Sequence, residues 1–379
     1  MIVQWAFFLC GAGLFYIYVG YPAVLYVLSR LSPRPVRKAP WPGQCSVVIA
    51  AYNEAARLPG KIENITASSA AGQIAEIVIA SDGSDDDTAA VVRGIADPRI
   101  RLVEFSDRRG KAAVLNDVVP QCRSDVVVFT DARQDIAPGA LAGLLSDFSD
   151  EQVGVVSGEL VFRGEAATAA SKGIGFYWRY EKYIRRNESR FGSVPGATGA
   201  FYAIRRKLFR PIHEDSLLDD VAIPMQAVMQ GSRCVFEEQA VVFDLPSSSV
   251  AEENIRKRRT IAGNAQLIRL YPCWLLPWRN PIWFQYVSHK LGRLLSPFFL
   301  AGALAASLIL FRDPLYAIAL AGQVVLYGMA MIGWLFSIRW CGIATVFVLL
   351  NLTTLRALAD AAAGRFNVKW ERGIRGGDR

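Results

Sequence analysis

Several side chains able to carry out chemistry stand shortly after short apolar runs in this sequence of 379 residues. Carboxylates can take up protons or ligate divalent cations, and lysine can neutralise an anion. The motifs around these positions also have plain structural explanations, because Ser84 with Asp86 and Asp87 suits a helix N-terminus, Asn53-Glu54 can cap another and Gly110 can form a turn. Their recurrence in order, at successive apolar runs, favours one shared site. The residues concerned are Tyr52, Glu54, Asp82, Lys111 and Asp131.

The apolar runs between Gln44 and Phe243 alternate with segments of helical periodicity, which predicts strands and helices in turn. Such alternation predicts an α/β fold with a mostly parallel sheet and helices on both faces. Ligands of such sheets bind beyond the carboxyl ends of the strands, where the polar residues fall. The predicted strands are Cys45–Ala51, Ile77–Ser81, Ile100–Phe105 and Val126–Thr130, and the predicted helices are Ala55–Ser69, Asp86–Ile95 and Lys111–Val119.

Charge is distributed unevenly along the chain, which indicates a polar domain bracketed by membrane segments. Residues 1–29 carry no charge, and residues 294–338 carry only Arg312 and Asp313. The 52% hydrophobic content is too high for an ordinary soluble protein, whereas the 20% of charged residues is too high for a chain embedded throughout. The stretch from Ile2 to Ser29 is long enough to cross a bilayer and lacks the basic start of a signal peptide. We therefore expect a retained N-terminal anchor.

Two further spans are predicted at Leu294–Phe311 and Leu315–Ile338, and Cys341–Leu355 is either a short fourth span or a re-entrant segment. Tyr271–Lys290 either lies in the membrane interface or forms a buried aromatic cluster. Arginines after the first span place the following domain in the cytoplasm by the positive-inside rule. The predicted layout is an anchor at 1–29, a cytoplasmic polar domain at 44–270, an interfacial region at 271–290, membrane segments at 294–358 and a basic tail at 359–379.

Composition excludes several other classes of site. The net charge of +8 needs no nucleic-acid partner, because basic residues beside membrane spans account for it. The six cysteines include no CxxC pair, which argues against a zinc site or a disulfide framework. Only two histidines are present, so a histidine-based metal site or a Ser-His-Asp triad is not expected.

The ordered motifs resemble a glycosyltransferase family 2 domain of the membrane-bound branch, similar to chitin-oligosaccharide, hyaluronan and cellulose synthases and to exopolysaccharide transferases. The resemblance covers roughly residues 44–270. It is carried by Val47–Glu54, Asp82-Gly83-Ser84, Arg109-Gly110-Lys111 with Asn116, Phe129–Asp131, Gly196–Arg206, Leu218-Asp219-Asp220 and Gly231–Phe236.

This resemblance implies transfer of a sugar, with inversion, from a UDP-sugar to a hydroxyl of a polysaccharide or lipid-linked acceptor. It implies that Asp220 is the catalytic base, that its neighbour Asp219 raises the proton affinity of the pair, and that Asp131 binds Mg²⁺ or Mn²⁺. The resemblance also implies five donor-binding roles. Tyr52 stacks on uridine, Asp82 accepts from its imide, Lys111 pairs with phosphate, Glu54 supports ribose or its loop, and Arg259 contacts the diphosphate.

Two positions depart from the family pattern. The usual Asp-x-Asp is Asp131-Ala132-Arg133 here, so the second carboxylate is missing and Arg133 could contact phosphate instead. The Gln-x-x-Arg-Trp motif of processive members is reduced to Arg259, which leaves chain elongation and single-sugar addition both open. The expected setting is the plasma (inner) membrane, in cell-envelope or exopolysaccharide synthesis with export partners. The alternative is a catalytically degenerate scaffold of an export complex.

Overall fold

The computed structural model describes residues 1–163, 169–245, 250–336 and 338–363. The basic residues of the predicted tail at 359–379 lie beyond residue 363 and therefore outside the described part of the chain.

One eight-stranded sheet forms the centre of the polar domain, in the order β3-β2-β1-β4-β7-β6-β8-β5. Its strands are β1 (Cys45–Ala51), β2 (Ile74–Asp82), β3 (Ile100–Phe105), β4 (Val126–Thr130), β5 (Asp135–Ile136), β6 (Val153–Phe162), β7 (Phe201–Arg205) and β8 (Arg233–Asp244). The first four strands run parallel, as do β6 and β8. β7 is antiparallel to both its neighbours, and β5 is antiparallel to β8. The predicted α/β sheet is confirmed, with an antiparallel strand inserted between its two parallel parts.

Helices cover both faces of this sheet, as the sequence pattern predicts. The helices within or against the domain are α2 (Leu58–Thr66), α3 (Thr88–Arg93), α4 (Lys111–Val118), α5 (Ala140–Ser146), α6 (Ala169–Phe191), α7 (Asp219–Met229) and α8 (Val250–Leu270), after an N-terminal α1 (Ile2–Leu31). Alternate residues of β1 point to opposite sides. Val47 and Ile49 pack with α2 and α5, whereas Val48 packs with α4 and α7. Because both faces are buried, the strands are continuous apolar runs.

Within the described residues, four helices are long and apolar enough to cross a membrane. They are α1, α9 (Trp283–Ile309), α10 (Pro314–Phe336) and α11 (Gly342–Ala362). α9 begins eleven residues before the expected span at Leu294, and it therefore contains His289, Lys290 and Arg293. α11 has 21 residues, whereas its apolar stretch in the sequence suggested about 15. Its length and composition suit a full crossing.

Candidate functional site

The carboxyl ends of β1, β2 and β4 meet at one edge of the sheet because these strands are parallel neighbours. Tyr52 follows β1, Asp82 ends β2 and Asp131 follows β4. The topology therefore brings side chains from three separate parts of the sequence to one place, as the strand-end argument predicts.

Asp82 is buried and holds the loop that leads into α4. Its two carboxylate oxygens accept hydrogen bonds from the backbone N–H groups of Arg109, at 2.7 Å, and Gly110, at 2.8 Å. The next residue, Gly83, has φ of +60°, and a Cβ there would lie 2.5 Å from the Arg108 nitrogen. Only glycine fits this approach. Asp82 thus fixes the loop before Lys111, and its oxygens retain lone pairs for a further donor.

Tyr52 lies under the same loop. The Arg108 guanidinium sits over its ring at 3.9 Å from the centroid, and the Tyr52 hydroxyl donates to Asp85 at 2.9 Å. One face of the ring is therefore covered by a cation. Glu54 is buried and points away from this loop to Arg57, with 2.9 Å between Oε2 and Nη1. These contacts make Glu54 a support of its own loop.

Lys111 lies at the centre of an acidic cluster. Its Nζ is 3.0 Å from Asp131 Oδ1 and 3.5 Å from Asp219 Oδ2. Burial alone would lower the pKa of Lys111, but the negative charges of Asp131 and Asp219 outweigh burial and raise this pKa above its ordinary value. Lys111 is therefore a fixed positive charge between two carboxylates that come from β4 and α7.

Asp220 occupies the first turn of α7, beside Asp219. Its backbone carbonyl accepts from the Ala197 N–H at 2.7 Å, and a Cβ on Gly199 would lie 2.8 Å from its Oδ2. Burial raises the pKa of Asp220 to about 6, and the negative charge of Asp219 adds to this rise. Such a carboxylate is ionised at pH 7 and still takes up a proton readily.

Arg259 of α8 is a second cation that interacts electrostatically with the carboxylates of the acidic cluster. Burial lowers the pKa of its guanidinium, and the charges of Asp219, Asp220 and Asp131 oppose that effect. Five of the predicted residues thus lie together, namely Lys111, Asp131, Asp219, Asp220 and Arg259. Tyr52, Glu54 and Asp82 lie at the neighbouring strand ends.

The donor set available to a metal ion is small. Over the described ranges no group of three metal-ligating side chains occurs. Arg133, which stands in place of a second carboxylate, pairs with the buried Asp244 at 2.6 Å. The single carboxylate of Asp131 fits Mg²⁺ or Mn²⁺ only when substrate phosphate oxygens provide further ligands, which is a common arrangement for Mg²⁺.

Sequence reasoning missed three cations near this site. Arg108 covers Tyr52, Arg185 of α6 donates to Thr198 at 2.7 Å and Ser157 at 2.6 Å, and Lys290 lies in the first turns of α9. Arg108 adjoins the Arg109-Gly110-Lys111 motif, so its position in the sequence could have drawn attention to it. Arg185 and Lys290 reach the site only through tertiary packing.

Comparison with known proteins agrees with this geometry. Residues 46–212 match the model of the family Glycosyl transferase family 2. The part of the chain that holds the candidate site is therefore similar to glycosyltransferase family 2 domains, and the described residues also include four apolar helices.

Two curated relatives are poly-beta-1,6-N-acetyl-D-glucosamine synthases. That of Staphylococcus aureus is 25% identical over 203 residues, covering 52% of this chain and 49% of the relative. That of Staphylococcus epidermidis is 22% identical over 210 residues, covering 54% and 50%. The chain thus spans about half the length of the curated relatives it matches.

A mannosyltransferase from Pyrobaculum calidifontis, solved in complex with GDP-Man and Mn²⁺, has the same fold. Its TM-score is 0.70 at 23% identity, over 94% of this chain and 99% of the other. This likeness confirms the arrangement of sheet and helices.

Proposed function

We propose that the protein is an inverting, membrane-bound glycosyltransferase that moves a hexosyl or N-acetylhexosaminyl group from a UDP-sugar to an acceptor hydroxyl. The acceptor is a polysaccharide or a lipid-linked glycan that is used in cell-envelope or exopolysaccharide synthesis. The observation that carries this proposal is the junction of Lys111, Asp131, Asp219 and Asp220 at the carboxyl edge of a family 2 domain. The synthase relatives support the polysaccharide setting.

The chemistry is a single in-line displacement. The acceptor oxygen forms a bond to the anomeric carbon while the bond from that carbon to the diphosphate breaks, and Asp220 takes the hydroxyl proton. Lys111 and Arg259 neutralise the charge that develops on the leaving diphosphate. Asp131 would hold Mg²⁺ or Mn²⁺ together with diphosphate oxygens, and the ion would supply additional neutralisation there.

The donor half would bind uridine against Tyr52, with Asp82 accepting from the imide N–H and Glu54 bracing the loop. Asp82 keeps acceptor capacity for this role although both of its oxygens already bind backbone N–H groups. The basic residues after α1 favour a domain on the cytoplasmic side of the inner membrane.

The test is nucleotide release by the protein in lipid nanodiscs, supplied with Mg²⁺ or Mn²⁺, a panel of UDP-sugars and a lipid extract. We expect release with one donor, and we expect Asp220→Asn to lower turnover by about 10²- to 10⁴-fold while still binding that donor. Lys207→Gln serves as the control and should match the wild type. It removes an exposed charge after β7, and because Arg205 pairs with the first residue of β4, this position lies at the end of β4 opposite to Asp131.

Full turnover in Asp220→Asn would contradict the assignment of the base. Binding of UDP-sugars without release under any acceptor condition would instead favour a non-catalytic scaffold of an export complex.

A further inference from the structure

Two cations, Arg185 and Lys290, interact electrostatically with Asp220 from the side of the apolar helices, and neither has a carboxylate oxygen within 4.0 Å in the described ranges. Arg185 donates only to the hydroxyl groups of Thr198 and Ser157. Lys290 forms no hydrogen bond or ion pair with any residue that the structure describes. Such partly buried cations are stabilised further when an anion contacts them directly.

Arg185 reaches the site through the loop that precedes β7. Its partner Thr198 stands next to Gly199, where an added Cβ would lie 2.8 Å from Asp220 Oδ2. The Arg185 guanidinium also lies over the Phe236 ring, 4.5 Å from the centroid. The side chain is therefore held in one direction by an aromatic face and two hydroxyl groups.

Lys290 reaches the same place through α9. Tyr286 and Val287, one turn earlier on this helix, pack into the core that also contains Leu218 and Val221. These two residues flank the Asp219-Asp220 pair. Residues three and four positions apart share one face of a helix, so Lys290 continues the face that packs beside the pair.

The nearby carboxylates Glu188 and Glu181 contact other groups, and Glu188 Oε2 has no hydrogen-bond partner among the described residues. Glu188 accepts from the Tyr21 hydroxyl at 2.6 Å and lies 2.8 Å from His289 Nδ1. Glu181 lies 3.1 Å from His289 Nε2 and pairs with Arg293. This network joins α1, α6 and α9. Within the described residues neither Arg185 nor Lys290 forms a contact ion pair, and the negative charges of Glu188 and Asp220 act on both from a longer distance.

We propose that Lys290 and Arg185 form a subsite for the phosphate of a lipid-linked acceptor, whose terminal sugar presents its hydroxyl to Asp220. The inference rests on the proposed function and specifies its acceptor. A lipid source is favoured because Lys290 belongs to a helix long and apolar enough to cross a membrane. In the reaction the acceptor phosphate is unchanged, since only its sugar hydroxyl loses a proton and gains the glycosyl group.

The experiment uses the full chain in nanodiscs and three acceptors that carry the same sugar. One is linked to a short polyprenyl diphosphate, one is an alkyl glycoside without phosphate, and one is a water-soluble sugar phosphate. The wild type should prefer the polyprenyl diphosphate acceptor by about tenfold or more in kcat/KM over both others, as expected for one charge-assisted contact.

Lys290→Gln should raise KM for the polyprenyl diphosphate acceptor by about tenfold and leave KM for the alkyl glycoside unchanged. Lys290→Arg should restore most of the loss because it retains the charge. Lys207→Gln controls for the loss of one positive charge elsewhere.

The inference is overturned if the wild type uses the alkyl glycoside equally well, if the soluble sugar phosphate is as good as the lipid, or if Lys290→Gln changes KM equally for all acceptors. Slow UDP release to water without any acceptor reports the donor half alone. If UDP is released without acceptor but the Lys290 predictions fail, only the acceptor subsite is overturned. If no UDP is released under any condition, the proposed function itself fails.

Discussion

The two sides of the candidate site are built in different ways. On the donor side, at the ends of β1, β2 and β4, charged groups are paired. Lys111 lies between Asp131 and Asp219, and Asp82 holds two backbone N–H groups. On the side of α6 and α9, Arg185 and Lys290 have no paired carboxylate among the described residues. The comparison teaches that the proposed donor pocket is preorganised by ion pairs among its own residues, whereas the proposed acceptor side offers cations without a contact ion pair among the described residues.

The donor side should respond most strongly to loss of its central cation. Lys111→Gln removes the charge that faces the diphosphate, and we expect donor affinity to fall by about 10- to 100-fold, the range for hydrogen bonds to charged groups. Calorimetric titration with UDP measures this effect, and a thermal melt of the same variant checks that it folds. Unchanged UDP affinity in a folded Lys111→Gln protein would show that the donor diphosphate binds elsewhere.

The base between the two sides should give the activity a clear dependence on pH. Because the pKa of Asp220 is raised to about 6, the carboxylate is available above this pH and is lost as the pH falls through it. We expect kcat/KM to drop about tenfold at pH 5 relative to its plateau. Steady-state rates between pH 5 and pH 8 check this.

Asp219→Asn sharpens the same measurement. Removing the neighbouring negative charge lowers the pKa of Asp220, so the midpoint should move to lower pH. A midpoint that stays in place in Asp219→Asn would show that another group governs the profile.

The smallest effect is expected from a substitution at Gly199, whose backbone lies close to the Asp220 carboxylate. A Cβ at Gly199 would lie 2.8 Å from Asp220 Oδ2, so Gly199→Ala must displace that carboxylate. We expect a loss in turnover of about tenfold or less, since a small misplacement of a catalytic group costs up to 10²-fold. Gly139→Ala is the matched control because a Cβ there meets nothing within 4 Å. Equal activity of the two variants would argue against a close fit between Gly199 and the base.

The donor side was also the part that the sequence could predict. Strand-end motifs such as Asp82-Gly83 and Asp131 are local, and parallel strands bring them to one edge without further information. The strand bounds of Cys45–Ala51 and Val126–Thr130 match the structure for the same reason, because fully buried strands are continuous apolar runs.

The acceptor side depends on contacts between segments far apart in the chain. Arg185 lies on α6 and Lys290 on α9, outside the motif segments. Their positions near the site depend on how these helices pack, which the local sequence pattern does not indicate. α9 begins at Trp283 and so includes the last part of Tyr271–Lys290, the region for which the sequence left an interfacial segment and a buried aromatic cluster both open. The inserted antiparallel β7 is similarly a tertiary feature, since its apolar pattern does not indicate direction.

The most direct test of the central claim is the anomeric configuration of the first product formed from an α-linked UDP-sugar, read by proton NMR. One in-line displacement with Asp220 as the base predicts a β-linked product. An α-linked product, or no product while the donor is bound and the acceptor is present, would contradict the account.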